Sequence, residues 1–178
     1  ISLNRKVALK LLPPHLSFSR EAVRKFQREA EAGGRQRHPG IVAVHMVGEH
    51  EGQHYIVQEL IEGGVTLEEK IKEFQERKEQ PQGYFRFVAD FILKVTDALH
   101  YAHESGVIHR DVKPSNILLA ARVPKTDENP FGVGVRVLDF GIAGLAAELD
   151  RGSVAGTLSY MSPEQAQGQR LDLRSDLF

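Results

Sequence analysis

The most distinctive polar stretch of this chain is His109-Arg110-Asp111-Val112-Lys113-Pro114-Ser115-Asn116, which is followed by Asp139-Phe140-Gly141. Short apolar runs at residues 107–108, 117–119 and 135–138 flank the two segments and predict short strands joined by loops. The loops bring carboxylates, an amide and cations close together along the chain. Loops held on a packed scaffold often carry binding and catalytic residues, so chemistry is expected there.

A strand and a helix near the start each place a charged residue among apolar ones. Alternation over residues 6–12 predicts a strand with Lys10 on a core-facing position. Residues 20–32 predict a helix that ends at Gly33-Gly34, with Glu29 on its apolar stripe. Each charge is costly to bury alone, so the two are predicted to be partners. From the residues alone, a merely stabilising ion pair or a Lys10 whose stem covers apolar surface is the favoured interpretation.

The remaining elements follow from apolar periodicity. Residues 41–47 and 55–61 predict an antiparallel hairpin, and residues 67–78 predict a charged surface helix. A long helix is predicted from Tyr84 to Ser105. Its apolar stripe is predicted to consist of Phe85, Val88, Ile92, Val95, Leu99 and Ala102. His100 and His103 are interpreted as part of its solvated face, with a metal site as the less favoured alternative.

The composition is that of an ordinary folded domain or part of one. The chain has 178 residues, 41% of them hydrophobic and 26% charged, which is enough to bury a core. It has no cysteine, which excludes disulfide frameworks and thiolate metal sites. Its 23 Lys and Arg residues balance 24 Asp and Glu residues to a net charge of -1, so no nucleic-acid partner is predicted.

No apolar run approaches the roughly 18 residues of a membrane span, and the first residues lack the apolar stretch of a signal peptide. We therefore expect no membrane segment within these residues and a cytoplasmic location, with a membrane anchor elsewhere in the parent protein left open. Ile1 enters a strand pattern without a lead-in, and Phe178 stops within a helix-like stretch. Both ends are predicted to be incomplete.

Further motifs accompany the two central segments in a set order. They are Val7-Ala8-Leu9-Lys10, the helix with Glu29, His38-Pro39, Ser162-Pro163-Glu164 and the run from Asp172 to Asp176. The whole set resembles the eukaryotic-like serine/threonine protein kinases, and details such as residues 38–42 and 162–166 resemble their bacterial, Hanks-type members.

The resemblance implies an α+β, bilobal protein-kinase fold that is incomplete at both ends. Residues 1–61 would form part of the small, β-rich N-lobe with its one key helix, without the glycine-rich loop. Residues 62–178 would form part of the larger, mainly helical C-lobe, through the catalytic loop and the activation segment.

The resemblance also implies catalytic roles. Asp111 would be the base that accepts or orients the substrate hydroxyl, and Lys113 would neutralise the γ-phosphate. Lys10 would hold the α- and β-phosphates of ATP, and Glu29 would orient Lys10. Taken alone, Asp111 would equally suit an ordinary turn.

Other roles are implied for the cofactor and the nucleotide. Asn116 and Asp139 would hold magnesium, and His109 would be a packing residue. Phe140 would pack under the Glu29 helix. The adenine pocket would consist of Ala8 and Leu118 on the two sides of the ring, backbone groups of Glu59 and Ile61, and Gln58 as the gatekeeper.

Regulation is predicted at Arg110, beside the catalytic aspartate. A phosphate on Ser153 would add about -1.5 to -2 charge and form charge-assisted bonds with Arg110. Asp150 is the alternative, as a permanent carboxylate partner. Thr157 would bond Asp111 and Lys113 in the active state.

The function implied is ATP- and Mg²⁺-dependent transfer of the γ-phosphate to Ser and Thr hydroxyls of protein substrates. One alternative is a pseudokinase that binds nucleotide or partners without turnover, and another is a small-molecule phosphotransferase. A pseudokinase usually lacks a residue equivalent to Lys10, Asp111 or Asp139, and a small-molecule phosphotransferase would be expected to lack the motif at residues 162–164. This chain has all of these residues.

Overall fold

Two small antiparallel sheets, each packed against a helix, form the framework. The computed structural model describes residues 5–76, 82–120, 132, 134–140 and 159–178, apart from the side chains of Lys25 and Glu29. Strands are β1 Val7–Leu11, β2 Val44–His50, β3 Gln53–Glu59, β4 Val65–Thr66, β5 Ile117–Ala120 and β6 Gly134–Val137. Helices are α1 Pro14–Ser17, α2 Arg20–Gly34, α3 Leu67–Gln75, α4 Tyr84–Glu104 and α5 Pro163–Ala166, with 3₁₀ turns at Pro114–Asn116 and Leu173–Leu177.

The first sheet has the order β1-β3-β2, and all its pairs are antiparallel. The predicted hairpin is present as β2 and β3, joined at Glu51 and Gly52 with φ angles of 49° and 79°. Two successive positive φ angles match the twist of the flanking strands. The inner face packs on α2 through a core of Leu12, Phe26, Ala30 and Ile56.

Helix α2 ends at Gly34, within two residues of the predicted end, but the glycines do not form a left-handed cap. Neither glycine adopts the left-handed conformation that would end a helix, and the C-cap residue Arg35 has φ -84°. A Cβ atom at Gly33 would lie 3.2 Å from Cγ2 of Val44. Gly33 therefore allows α2 to pack closely on β2.

The second layer consists of α4 and the sheet β4-β5-β6. The buried residues of α4 are Phe91, Val95, Ala98, Leu99 and Ala102. The predicted stripe was partly wrong, because Phe85 is 76% exposed and Ile92 53% exposed. Both lie to one side of the buried stripe at 100° per residue.

The two layers meet at the segment that precedes β2. Ile41 forms a parallel bridge with Val137 of β6, and the amide of Val137 donates to the carbonyl of Gly40 at 2.7 Å. The His38 ring packs against Tyr101 of α4 at 5.0 Å between centroids. These contacts tie the segment between α2 and β2 to the second layer.

Two further predictions are settled by the backbone. Residues 107–108 form no regular strand, because the amide of Val107 bonds back to Ala102 at the end of α4. Within the described ranges, no helix is long and apolar enough to cross a membrane. The division into lobes at residue 61 stays a prediction.

Candidate active site

The loop after α4 is anchored by Asp176, whose carboxylate is buried beneath it. The backbone amides of His109 and Arg110 donate to its Oδ2 and Oδ1 atoms, each at 2.7 Å. Oδ2 also lies 2.7 Å from Nε2 of His103. One buried carboxylate thus orients two successive peptide groups of the loop.

His103 and Asp176 were not among the predicted site residues. The placement of His103 on a solvated face was wrong, since its side chain is 11% exposed and bonded to Asp176. Its position on α4 follows from helical spacing, but its partner lies 73 residues further on.

His109 is fully buried and acts as a packing residue, as the sequence suggested. Its ring lies 4.7 Å from that of Phe140, its Nε2 is 2.7 Å from the carbonyl of Leu138, and its Nδ1 is 3.2 Å from the Asp111 amide. A carbonyl on one side and an amide donor on the other require the neutral Nε2–H tautomer. Burial lowers the pKa of His109 below its ordinary value, against the opposing effect of Asp176.

The lowered pKa of His109 predicts a stability that falls with acid. Below its ordinary value of 6.5, the unfolded chain takes up a proton that the folded state resists, so stability decreases with falling pH by up to about 1.4 kcal/mol per pH unit. Denaturant unfolding of the complete protein at about pH 7.5 and about pH 5.5 should show a smaller pH effect for His109→Asn than for the wild type. His100→Asn, at an exposed site, should keep the wild-type difference. Equal differences in all three would contradict the assignment.

Asp111 lies at the centre of a cluster with Lys113 and Asn116. Its Oδ2 atom is 2.8 Å from Nζ of Lys113 and 2.8 Å from Nδ2 of Asn116. The same Nδ2 donates to the Asp111 backbone carbonyl at 2.9 Å. A carboxylate held by an ammonium group and an amide is fixed in direction, as a proton acceptor at this position would need.

Lys10 of β1 forms an ion pair with Asp139, which follows β6 of the second layer. Nζ of Lys10 is 2.6 Å from Oδ2 of Asp139, and their side chains are 33% and 21% exposed. Asp139 has a φ of 58°, a strained conformation for a residue with a side chain. The predicted partner of Lys10 was Glu29, whose side chain lies outside the described part, so that pairing stays a prediction.

The predicted nucleotide residues lie on β1, at the end of β3, after β3 and on β5. Ala8 is half-buried on β1 opposite Gln58 of β3, and Leu118 is half-buried on β5. Glu59 and Ile61 follow along the chain toward β4, and the amide of Glu59 donates to the carbonyl of Ala43 at 2.8 Å. Their predicted contacts with adenine remain untested.

A cavity lies behind Lys10 and Asp139. Gln58, only 8% exposed, lines it together with Ala30 and Gly33 of α2, Asp139 and Phe140. Phe140 belongs to the core of α4 and β6, and its packing under the Glu29 helix stays a prediction. Ala30 and Gly33 have small or no side chains, so α2 does not fill this cavity.

The end of the expected activation segment is attached to the same loop. Glu164 accepts a hydrogen bond from the Ser175 hydroxyl, and this bond is the largest cause that lowers the pKa of Glu164. Gln165 bonds the Arg110 carbonyl at 2.6 Å, a contact that the sequence did not suggest. Arg110 is exposed, with a φ of 68°. Asp150, Ser153 and Thr157 lie outside the described residues, so their predicted roles stay predictions.

The comparison with known proteins agrees with this arrangement. A family model described as the protein kinase domain matches residues 1–178. The chain belongs to the protein kinase domain family. This kinase chain is 40% identical to the serine/threonine-protein kinase pkn3 of Myxococcus xanthus over 100% of its own length and 32% of that protein. It is 36% identical to the serine/threonine-protein kinase PknB of Mycobacterium tuberculosis, covering 100% of the chain and 27% of PknB.

A solved structure shows the same fold. The crystal structure of the Mycobacterium tuberculosis PknI kinase domain matches with a TM-score of 0.70 and 31% identity, over 98% of this kinase chain and 60% of that one. The predicted family and the kinase fold class are thus confirmed. The chain spans about a third or less of the curated relatives given above.

Proposed function

We propose that this kinase domain transfers the γ-phosphate of ATP to Ser and Thr hydroxyls of protein substrates, with Mg²⁺ as cofactor. The observation that carries the proposal is the cluster in which Lys113 and Asn116 hold the carboxylate of Asp111. The similarity to proteins named as serine/threonine-protein kinases supports the class of acceptor.

The donor atoms near Asp111 suit magnesium. Both hydrogen bonds of the Asn116 amide to Asp111 use Nδ2, which leaves Oδ1 as its potential ligand atom. Asp139 adds a carboxylate, and Mg²⁺ prefers oxygen ligands of these two kinds. Asn116 and Asp139 would hold the ion, which would neutralise phosphate charge when bound.

Each residue of the site would then have a separate role in phosphate transfer. Asp111 would orient the substrate hydroxyl and accept its proton as the bond between that oxygen and the γ-phosphorus forms and the bond to the bridging oxygen of ADP breaks. Lys113 would neutralise the γ-phosphate. Lys10, oriented by Glu29, would hold the α- and β-phosphates. We propose Ala8, Leu118, Glu59 and Ile61 as the adenine contacts.

The pseudokinase alternative finds no support in the site. Lys10, Asp111 and Asp139 are all present, and each makes an ion pair of 2.8 Å or less. Because ATP is the donor, we propose that the domain acts in the cytoplasm. Phosphate on Ser153 as a partner for Arg110 remains our proposal for regulation.

The test is transfer of label from γ-labelled ATP to a generic protein substrate by the complete protein. We expect label on phosphoserine and phosphothreonine, none on phosphotyrosine, and loss of transfer when a chelator removes magnesium. ATP binding without any transfer would favour the pseudokinase instead.

A further inference from the structure

Arg110, the residue before the catalytic aspartate, is held on both sides of its backbone. Its amide donates to Oδ1 of Asp176 at 2.7 Å, and its carbonyl accepts from Nε2 of Gln165 at 2.6 Å. Its φ of 68° lies in the left-handed region. This conformation costs a residue with a side chain roughly 1–2 kcal/mol, so the surrounding bonds must maintain it.

The peptide group that joins Arg110 to Asp111 is fixed at both ends. Gln165 binds its carbonyl oxygen, and the Asp111 amide at its other end donates to Nδ1 of His109 at 3.2 Å. The plane of this peptide sets the direction in which the Asp111 side chain leaves the backbone. A rotation of the plane would move the carboxylate away from Lys113 and Asn116.

Gln165 is itself held by the first turn of α5. The Ser162 amide donates to Oε1 of Gln165 at 3.1 Å, and the Gln165 amide donates to the Ser162 hydroxyl at 3.4 Å, which together form a capping box. Ser162 is 1% exposed. The amide side chain thus has its oxygen in the cap, so its NH₂ group points to the catalytic loop.

We infer that Gln165 is a positioning residue for Asp111, acting through the Arg110 carbonyl. It connects the end of the activation segment to the peptide that aims the catalytic carboxylate. The inference rests on the proposed function for its effect on turnover, but its structural part can be measured without activity.

The variant Gln165→Glu, made in the complete protein, removes the hydrogen bond to the Arg110 carbonyl and keeps the one from the Ser162 amide. A glutamate keeps an oxygen for the Ser162 amide, because Ser-x-x-Glu is itself a capping box, but it has no donor for the Arg110 carbonyl. We expect kcat to fall about tenfold or more, with the KM for ATP unchanged and the melting temperature lowered less than in Gln165→Met. Gln165→Met, which removes both bonds, should lower kcat similarly and also lower the melting temperature.

Gln167→Glu is the matched control, because it adds the same charge to the end of the same helix. Gln167 accepts a bond from Gln169 through its oxygen, and a glutamate retains that bond. This variant should behave as the wild type. Wild-type kcat in Gln165→Glu would overturn the inference. A loss of kcat that is fully explained by a smaller fraction of folded protein would overturn it as well.

Hydrogen exchange distinguishes a failure of this inference from a failure of the proposed function. If neither the wild type nor Gln167→Glu transfers phosphate, the proposed function has failed. Faster amide exchange at residues 109–113 in Gln165→Glu than in Gln167→Glu would still support the positioning contact. Equal exchange would overturn it.

Discussion

Asp111→Asn is expected to lower kcat by about 10²- to 10⁴-fold while ATP affinity stays near that of the wild type. The carboxylate lies in a cluster with Lys113 and Asn116 and is proposed to take the hydroxyl proton, which an amide cannot accept. The nucleotide is proposed to contact Lys10 instead. Label transfer and equilibrium ATP binding, measured on the same preparation, separate the two effects.

The control for Asp111→Asn is Asp97→Asn, at an exposed position of α4 whose carboxylate pairs with His38. It should retain nearly all activity. Retained turnover in Asp111→Asn would remove Asp111 from its proposed role, and parallel losses of turnover and ATP binding would indicate a general collapse of the site.

Asp176→Asn is expected to destabilise the domain by about 3 kcal/mol and to reduce turnover severely. Three donors share the two oxygens of this buried carboxylate, namely the amides of His109 and Arg110 and the His103 ring. Hydrogen bonds to a charged group contribute about 1.5–3 kcal/mol each, and an asparagine NH₂ group would face a donor at one of the positions. Denaturant unfolding of the complete protein measures the loss.

Asp172→Asn provides the comparison for Asp176→Asn on the same 3₁₀ turn. Asp172 is exposed and bonds Arg174, which lowers its pKa to about 2. Exposed ion pairs contribute little, so this change should shift the unfolding midpoint far less than Asp176→Asn does. Similar unfolding midpoints for the two variants would contradict the anchoring role of Asp176.

Much of the fold was accessible from local patterns. Alternation in β1 predicted a core-facing position for Lys10, and the half-buried Lys10 contacts Asp139 from that strand. Periodicity placed α4 from Tyr84 to within one residue of its observed end at Glu104. These features succeed because strand and helix periods are local properties of the chain.

Local sequence patterns were insufficient where tertiary packing decides what a residue contacts. Gly33-Gly34 marked the end of α2 to within two residues, but neither glycine is left-handed, and Gly33 instead lies close to Val44. The stripe on α4 was assigned too far to one side, because periodicity alone does not show which apolar residues meet β6 and which meet solvent.

By itself, the sequence determined the family, the kinase fold class and the order of the catalytic motifs, because motif order and residue type are properties of the chain. Only the tertiary structure showed that Asp176, His103 and Gln165 converge on the backbone around Arg110. Their contacts join residues 55 to 73 positions apart. A hydrogen bond depends on the position of two atoms to within a few tenths of an ångström, and residue spacing carries no such information across separately packed elements.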